Sequence, residues 1–227
     1  MKNKPFSIAI DGPAGAGKSS VAKAVAAELN AMYLDTGAMY RAFGLYMLRR
    51  GANKDSSAIV AAVNDVDITV EFIDGAQHIF LGGEDVTQAI REPEVSMAAS
   101  DISAVPEVRR ILVARQREIA KDVPVVMDGR DIGTKVLPDA DVKVFLTASV
   151  AVRARRRWLE LQAKGQDVPL DQLEREIAQR DHNDSTRAAS PLRKADDAVQ
   201  IDSSDMTLDE VVEKIVALAR AAGEGLS

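Results

Sequence analysis

Apolar residues recur along this chain in two rhythms. Val21, Val25 and Leu29 return every four residues, which predicts a helix with one buried face behind the short apolar strand in "IAID". A second helix is expected from about Met39 to Arg50, ending at Gly51, where glycine tolerates the left-handed backbone of a helix C-terminus. A third is expected across residues 55–64. The rhythm then changes to strict alternation at Ile68, Val70 and Phe72, with turns at Asp74-Gly75 and Gly82-Gly83, the pattern of an antiparallel hairpin. Residues 94–121 read as two helices broken at Pro106. "VPVVMD", ending at Asp128, and "VKVFL" at 142–146 are continuous apolar runs, as in strands covered on both faces of a parallel sheet. Helices at about 149–164 and 170–181, a strand at 198–202 and an amphipathic helix from Leu208 to Ala222 complete the pattern.

Strands alternating with helices predict an α/β fold, a doubly wound parallel sheet with a small antiparallel β insert. At 227 residues the chain suits one core with appendages, and it shows no internal repeat. The expected core is about 1–35, 122–148 and 190–227, interrupted by an insert-bearing region at about 36–121 and an arginine-rich helical segment at about 149–168.

Composition narrows the function classes. No stretch approaches the roughly 18 apolar residues of a membrane span, so no membrane partner is expected. "FSIAI" is too short for a signal peptide and runs straight into a glycine loop, so the mature chain is expected to start here. The absence of cysteine removes disulfides, zinc thiolates and cysteine nucleophiles, and fits a reducing cytoplasm. His78 and His182 are too few and too far apart for a histidine metal site. A net charge of −6 argues against a nucleic-acid partner, so any anion must be met by local arginine clusters.

The strongest chemical signal is Gly12-Pro13-Ala14-Gly15-Ala16-Gly17-Lys18-Ser19-Ser20, which fits the phosphate-loop pattern G-x-x-x-x-G-K-[ST] between a strand and a helix. Its glycines let backbone N–H groups turn towards phosphate oxygens, its lysine reaches the β and γ phosphates, and a hydroxyl, Ser19 in preference to Ser20, is the expected Mg²⁺ ligand. The helix behind the loop adds its positive end.

Other segments are candidates for the acceptor. "DTGAMYRA" is expected to begin as a loop at the carboxyl edge of the sheet, where Thr36, Gly37 and Arg41 could hold an anion, although Arg41 taken alone reads as a solvated helix residue. In "DGRDIGT" a buried strand ends in Asp128, Arg130 and Asp131: either Asp128 is a carboxylate near the metal's water shell or it opens a plain Asp-Gly turn, and Arg130 and Asp131 offer a cation and an anion for a nucleotide. "RARRR" lies on a helix, so Arg153 and Arg157 share a face able to reach a site. A mobile arginine lid would neutralise the transferring group only when closed. Arg180, Asp184 and Arg187 follow at helical spacing, fitting either a salt-bridged helix end or a substrate role.

Together, "IAIDGPAGAGKSS", "LDTGAMYR", "GEDVT" with "IR", "VSMAAS", "VR" with "RQR", "DGRDIGT", "ELQAKG", "RD" with "RAASPL" and "IDSS" resemble the bacterial cytidylate kinases, a branch of the nucleoside monophosphate kinases. The resemblance covers nearly the whole chain. It implies transfer of the γ-phosphoryl group of ATP, with Mg²⁺, to CMP or dCMP by a monomer. It implies that Thr36, Tyr40, Arg41, Arg130 and Arg187 surround the acceptor phosphate. Ser100, Arg109 and Asp131 would read cytosine, Arg180 and Asp184 the sugar, and Arg156 and Arg157 would be lid arginines. Lys18 would join these arginines around the moving group. A related kinase acting on AMP, UMP or a sugar-like alcohol is the neighbouring reading. A GTP-dependent switch is a distant one, since "NKDS" at 53–56 places its aspartate one position too early for the guanine motif.

Overall fold

The computed structural model describes residues 5–223. The expected core bounds and the expected N-terminus extend at the chain ends beyond these residues. Among the described residues, eight strands and eight helices follow in the order β1 (Ser7–Asp11), α1 (Lys18–Glu28), β2 (Met32–Asp35), α2 (Thr36–Arg49), α3 (Ser56–Ala62), β3 (Ile68–Ile73), β4 (Ala76–Leu81), β5 (Glu84–Asp85), α4 (Pro93–Ile102), α5 (Pro106–Ile119), β6 (Val125–Gly129), β7 (Val142–Thr147), α6 (Val150–Ala163), α7 (Leu170–Thr186), β8 (Val199–Asp202) and α8 (Leu208–Ala222). A 3₁₀ turn at Ala89–Arg91 and a five-residue π turn at Ile132–Val136 complete them.

Five strands form one parallel sheet in the order β2-β6-β1-β7-β8. β1 and β6 are buried along their whole length, which is why both read as unbroken apolar runs ending in a carboxylate or glycine. One face is covered by α1 and α8 through Val21, Val25, Ile215 and Val216. The other closes over Leu34, Met127, Ile132 and Val136. Crossing the order places the ends of β1, β2 and β6 side by side, with Asp11 opposite Gly129 and Asp35 opposite Asp128.

The alternating segment forms a separate antiparallel sheet, β3-β4-β5, with Phe72 facing Gln77 across the Asp74-Gly75 turn. Ile68, Ile79 and Leu81 point from it into a cluster with Met39, Phe43, Ile102 and Leu112, so the insert shares a core with α2, α4 and α5. Proline stands at the first turn of both α4 and α5, where its missing N–H costs nothing.

Two expected boundaries are corrected. α2 begins at Thr36 rather than near Met39, with no intervening loop, because the Asp35 carboxylate accepts the N–H of Ala38 at 3.0 Å and caps the helix at once. α7 runs to Thr186, beyond the expected end at 181, carrying Asp184 into the helix.

Candidate active site

The donor loop is backbone-driven. Gly12 (φ 153°), Gly15 (φ 75°) and Gly17 (φ 87°) hold positive φ, and a Cβ on Gly12 would lie 1.9 Å from the Leu146 carbonyl oxygen. Strand β7 thus fixes the loop's first turn. α1 then starts at Lys18 and presents its N-terminus to the loop. Lys18 is buried and donates to the Pro13 carbonyl at 2.7 Å. Burial pushes its pKa down to about 7, and the nearby Arg130 pushes in the same direction against Asp128. Ser19 donates to Asp128 Oδ2 at 2.9 Å while Ser20 is exposed, so Ser19 is the hydroxyl beside the buried carboxylate. Tyr33 donates to the other oxygen of Asp128 at 2.9 Å. A hydroxyl and a carboxylate together form a hard-oxygen donor set that fits Mg²⁺. Burial, helped by Asp35, raises the Asp128 carboxyl, and Lys18 opposes that rise.

The acceptor side is built from side chains on separate elements. Thr36, at the start of α2, donates to the Asp128 carbonyl at 2.8 Å. A Cβ on Gly129 would meet its hydroxyl at 2.8 Å and Ile132 Cδ1 at 2.6 Å, so only glycine allows that approach. Arg41, one turn along α2, donates to Asp35 at 2.6 Å. Arg130 leaves the end of β6 and donates to Asp184 on α7 at 2.8 Å. Arg109 on α5 pairs with Asp131, both buried, and lies 5.4 Å from the centre of the Tyr40 ring. Arg187 donates to the Ser103 hydroxyl at 3.1 Å, and that hydroxyl donates to the Ser100 carbonyl at 2.8 Å. The cytosine, sugar and phosphate candidates therefore stand against one another, drawn from α2, α4, α5, the β6 turn and α7.

Charge and orphaned donors mark this acceptor side. Burial and then Arg130 lower the Arg180 guanidinium to about 10, and burial and then Arg109 lower that of Arg187. Burial pushes Asp184 up, yet Arg130, Arg180 and Arg187 hold it below the usual carboxylate range. Among the described residues, Tyr40 Oη, Arg41 Nε, Arg180 Nε and Arg187 Nη2 are buried without a partner. Four unpaired polar atoms, three of them cationic N–H donors, describe a site for an anion.

Two expectations are placed differently. Arg153, read as sharing a site-facing surface with Arg157, is buried beneath the loop, donating to the carbonyls of Ala148 (2.8 Å) and Ala14 (3.0 Å) and to Asp181 (3.0 and 2.6 Å). Arg156 donates to Ser203 O at 2.6 Å and Arg157 to Glu160 at 3.1 Å, so neither is brought to the phosphate loop in this conformation.

Asp11 went unnoticed in the sequence. It ends β1 immediately before Gly12, is buried, and accepts the N–H groups of Ile132 and Gly133, each at 2.7 Å. It ties the donor loop to the turn carrying Arg130 and Asp131. Burial lifts its pKa to about 6 even though the two amides favour the anion. An acid closing a buried strand just before the glycine loop was the available signal.

The family model described as cytidylate kinase matches residues 8–221. The cytidylate kinase of Caldicellulosiruptor bescii is 53% identical over 95% of this chain and 96% of its own. That of Pediococcus pentosaceus is 48% identical over 99% of both. A bifunctional pantoate ligase/cytidylate kinase of Synechococcus is 52% identical over 94% of this chain but only 40% of its own. Among solved structures, a gluconokinase from Sinorhizobium meliloti superposes with a TM-score of 0.51 at 19% identity, covering 98% of this chain and 95% of that one, a likeness of fold.

Proposed function

The chain belongs to the cytidylate kinase family, and we infer that it moves the γ-phosphoryl group of ATP to the phosphate of CMP, giving ADP and CDP. dCMP as a second acceptor and Mg²⁺ as the metal ion belong to the same proposal. The observation that carries it is the set of orphaned cationic donors on Arg41, Arg180 and Arg187, of which Arg180 stands close enough to Lys18 of the glycine loop to lower its pKa.

The chemistry needs no strong base. The acceptor phosphate has a second pKa near 6 and is largely dianionic at neutral pH, so it is already a nucleophile. The protein's task is alignment and charge neutralisation. The glycine loop and Lys18 hold the β and γ phosphates of ATP. Thr36, Tyr40, Arg41, Arg130 and Arg187 hold the attacking phosphate in line. Ser19, and Asp128 through its hydrogen bond, would hold Mg²⁺, which would supply neutralisation of the charge on the transferring group. Asp131, with Arg109 and Ser100, reads the cytosine edge, and Arg180 and Asp184 meet the sugar. The α6 segment, about 149–168, acts as the lid, with Arg156 and Arg157 swinging from Ser203 and Glu160 when nucleotide binds.

The test is ADP release from Mg-ATP with CMP, dCMP, UMP, AMP or no acceptor. Turnover with CMP or dCMP that Asp131→Ala weakens is expected. Preference for AMP or UMP would overturn the base-reading set, and acceptor-independent hydrolysis would overturn the kinase reading.

A further inference from the structure

One polar side chain of the insert sheet, Gln77, reaches the end of the parallel sheet's β2. On β4, Gln77, Ile79 and Leu81 occupy alternate positions and so share a face. Ile79 and Leu81 are buried in the cluster that contains Met39 and Phe43 of α2. Gln77, half-buried, continues that face to the end of β2. There its Oε1 accepts the N–H of Asp35 at 2.7 Å and its Nε2 donates to the Asp35 carbonyl at 3.2 Å. β2 is an edge strand of the parallel sheet, so its last residue, paired with Asp128 of β6 on one side, has no strand on the other. One primary amide supplies both the acceptor and the donor that a neighbouring strand would offer.

Asp35 is the point at which the acceptor helix is set. Its Oδ1 caps α2 through Ala38, and its Oδ2 takes Arg41 at 2.6 Å and lies 4.0 Å from Arg91. Burial pushes this carboxyl up, but Arg41 and Arg91 outweigh burial and hold it below its ordinary value. A change in the Asp35 backbone therefore moves the start of the helix, the Thr36 hydroxyl and the Arg41 guanidinium together.

We propose that Gln77 is a positioning residue for the acceptor: by clamping the Asp35 backbone to the insert sheet it sets where Thr36 and Arg41 stand. The inference rests on the function proposed above. Gln77 acts only through Asp35 and makes no bond to the donor loop.

Gln77→Met keeps the side-chain length and removes both polar atoms. Gln77→Glu keeps the acceptor for the Asp35 N–H and sets a carboxylate against the Asp35 carbonyl. Steady-state kinetics are run with CMP and ATP varied separately, beside thermal melts of each variant. Losing two partly buried hydrogen bonds should raise the KM for CMP about five- to tenfold in Gln77→Met, with the KM for ATP and kcat within about twofold. Gln77→Glu should raise it as well. An unchanged KM for CMP in both variants would overturn the role of Gln77. So would a parallel loss in both KM values and kcat that tracks a lowered melting temperature. Failure of the wild-type chain to phosphorylate CMP would instead overturn the functional reading, before any variant is compared.

Discussion

In the proposed reading the donor loop would offer its phosphate contacts from consecutive residues, Gly12 to Ser20, whereas the acceptor site would draw on Thr36 to Arg41, Arg109, Arg130 with Asp131, and Arg180 to Arg187. The first relies on backbone N–H groups held by glycines and by β7. The second relies on long cationic side chains, and cations gathered without an anion repel one another. The acceptor site manages this by giving several of them a carboxylate: Asp35 for Arg41, Asp184 for Arg130, Asp131 for Arg109. A phosphate can be met by fixed dipoles or by charges kept ready on counter-charges. The second route leaves buried ion pairs whose rupture is costly.

Substitutions in each region sharpen this contrast. The largest effect is expected of Lys18→Met, which removes the loop lysine proposed to reach the β and γ phosphates. kcat for ADP release should fall by about a thousandfold while circular dichroism stays native, since methionine fills the buried site. Gly12→Ala should break the loop itself. Its Cβ would collide with the Leu146 carbonyl at 1.9 Å, and a thermal or urea melt should show a loss of about 3 kcal/mol. Arg130→Ala breaks the other side. kcat/KM for CMP should fall about a hundredfold, and Asp184 is left buried without its shortest ion pair.

The smallest expected effect is a slope. The folded pKa of Asp11, about 6, lies above its unfolded value of 3.8, so its protonated form favours the fold. That stabilising contribution is fully present below 3.8 and is lost as pH rises through about 6. The stability of the wild type relative to Asp11→Asn should decline across this window in urea melts at several pH values. A flat difference would mean that Asp11 titrates normally.

The same contrast explains what could be read from the sequence. The donor loop is contiguous, so spacing alone located Gly12 to Ser19 between a strand and a helix. The continuous apolar runs gave β6 and β7, and the Asp-Gly turn gave the hairpin, because each signal lies within a few residues. The acceptor site depends on tertiary approach. Asp11 meets Ile132 and Gly133 across the sheet, and Gln77 meets Asp35 from another sheet, with nothing local to mark either bond. The burial of Arg153 against the loop was not legible, because helical spacing gives a face but not what covers it. Its face lies against Ala14 and Asp181. The start of α2 was missed because Thr36-Gly37 looks like a loop until the Asp35 cap is counted. The π turn at 132–136 follows from Asp11 holding two successive amides, which no periodicity reports.

The central claim is that donor and acceptor sites are separately built. Its most direct test is equilibrium binding of a non-hydrolysable ATP analogue and of CMP, each alone, to Lys18→Met and to Arg130→Ala. A crossed pattern is predicted: Lys18→Met weakens the analogue and spares CMP, whereas Arg130→Ala weakens CMP and spares the analogue. Equal weakening of both ligands by either variant would contradict it.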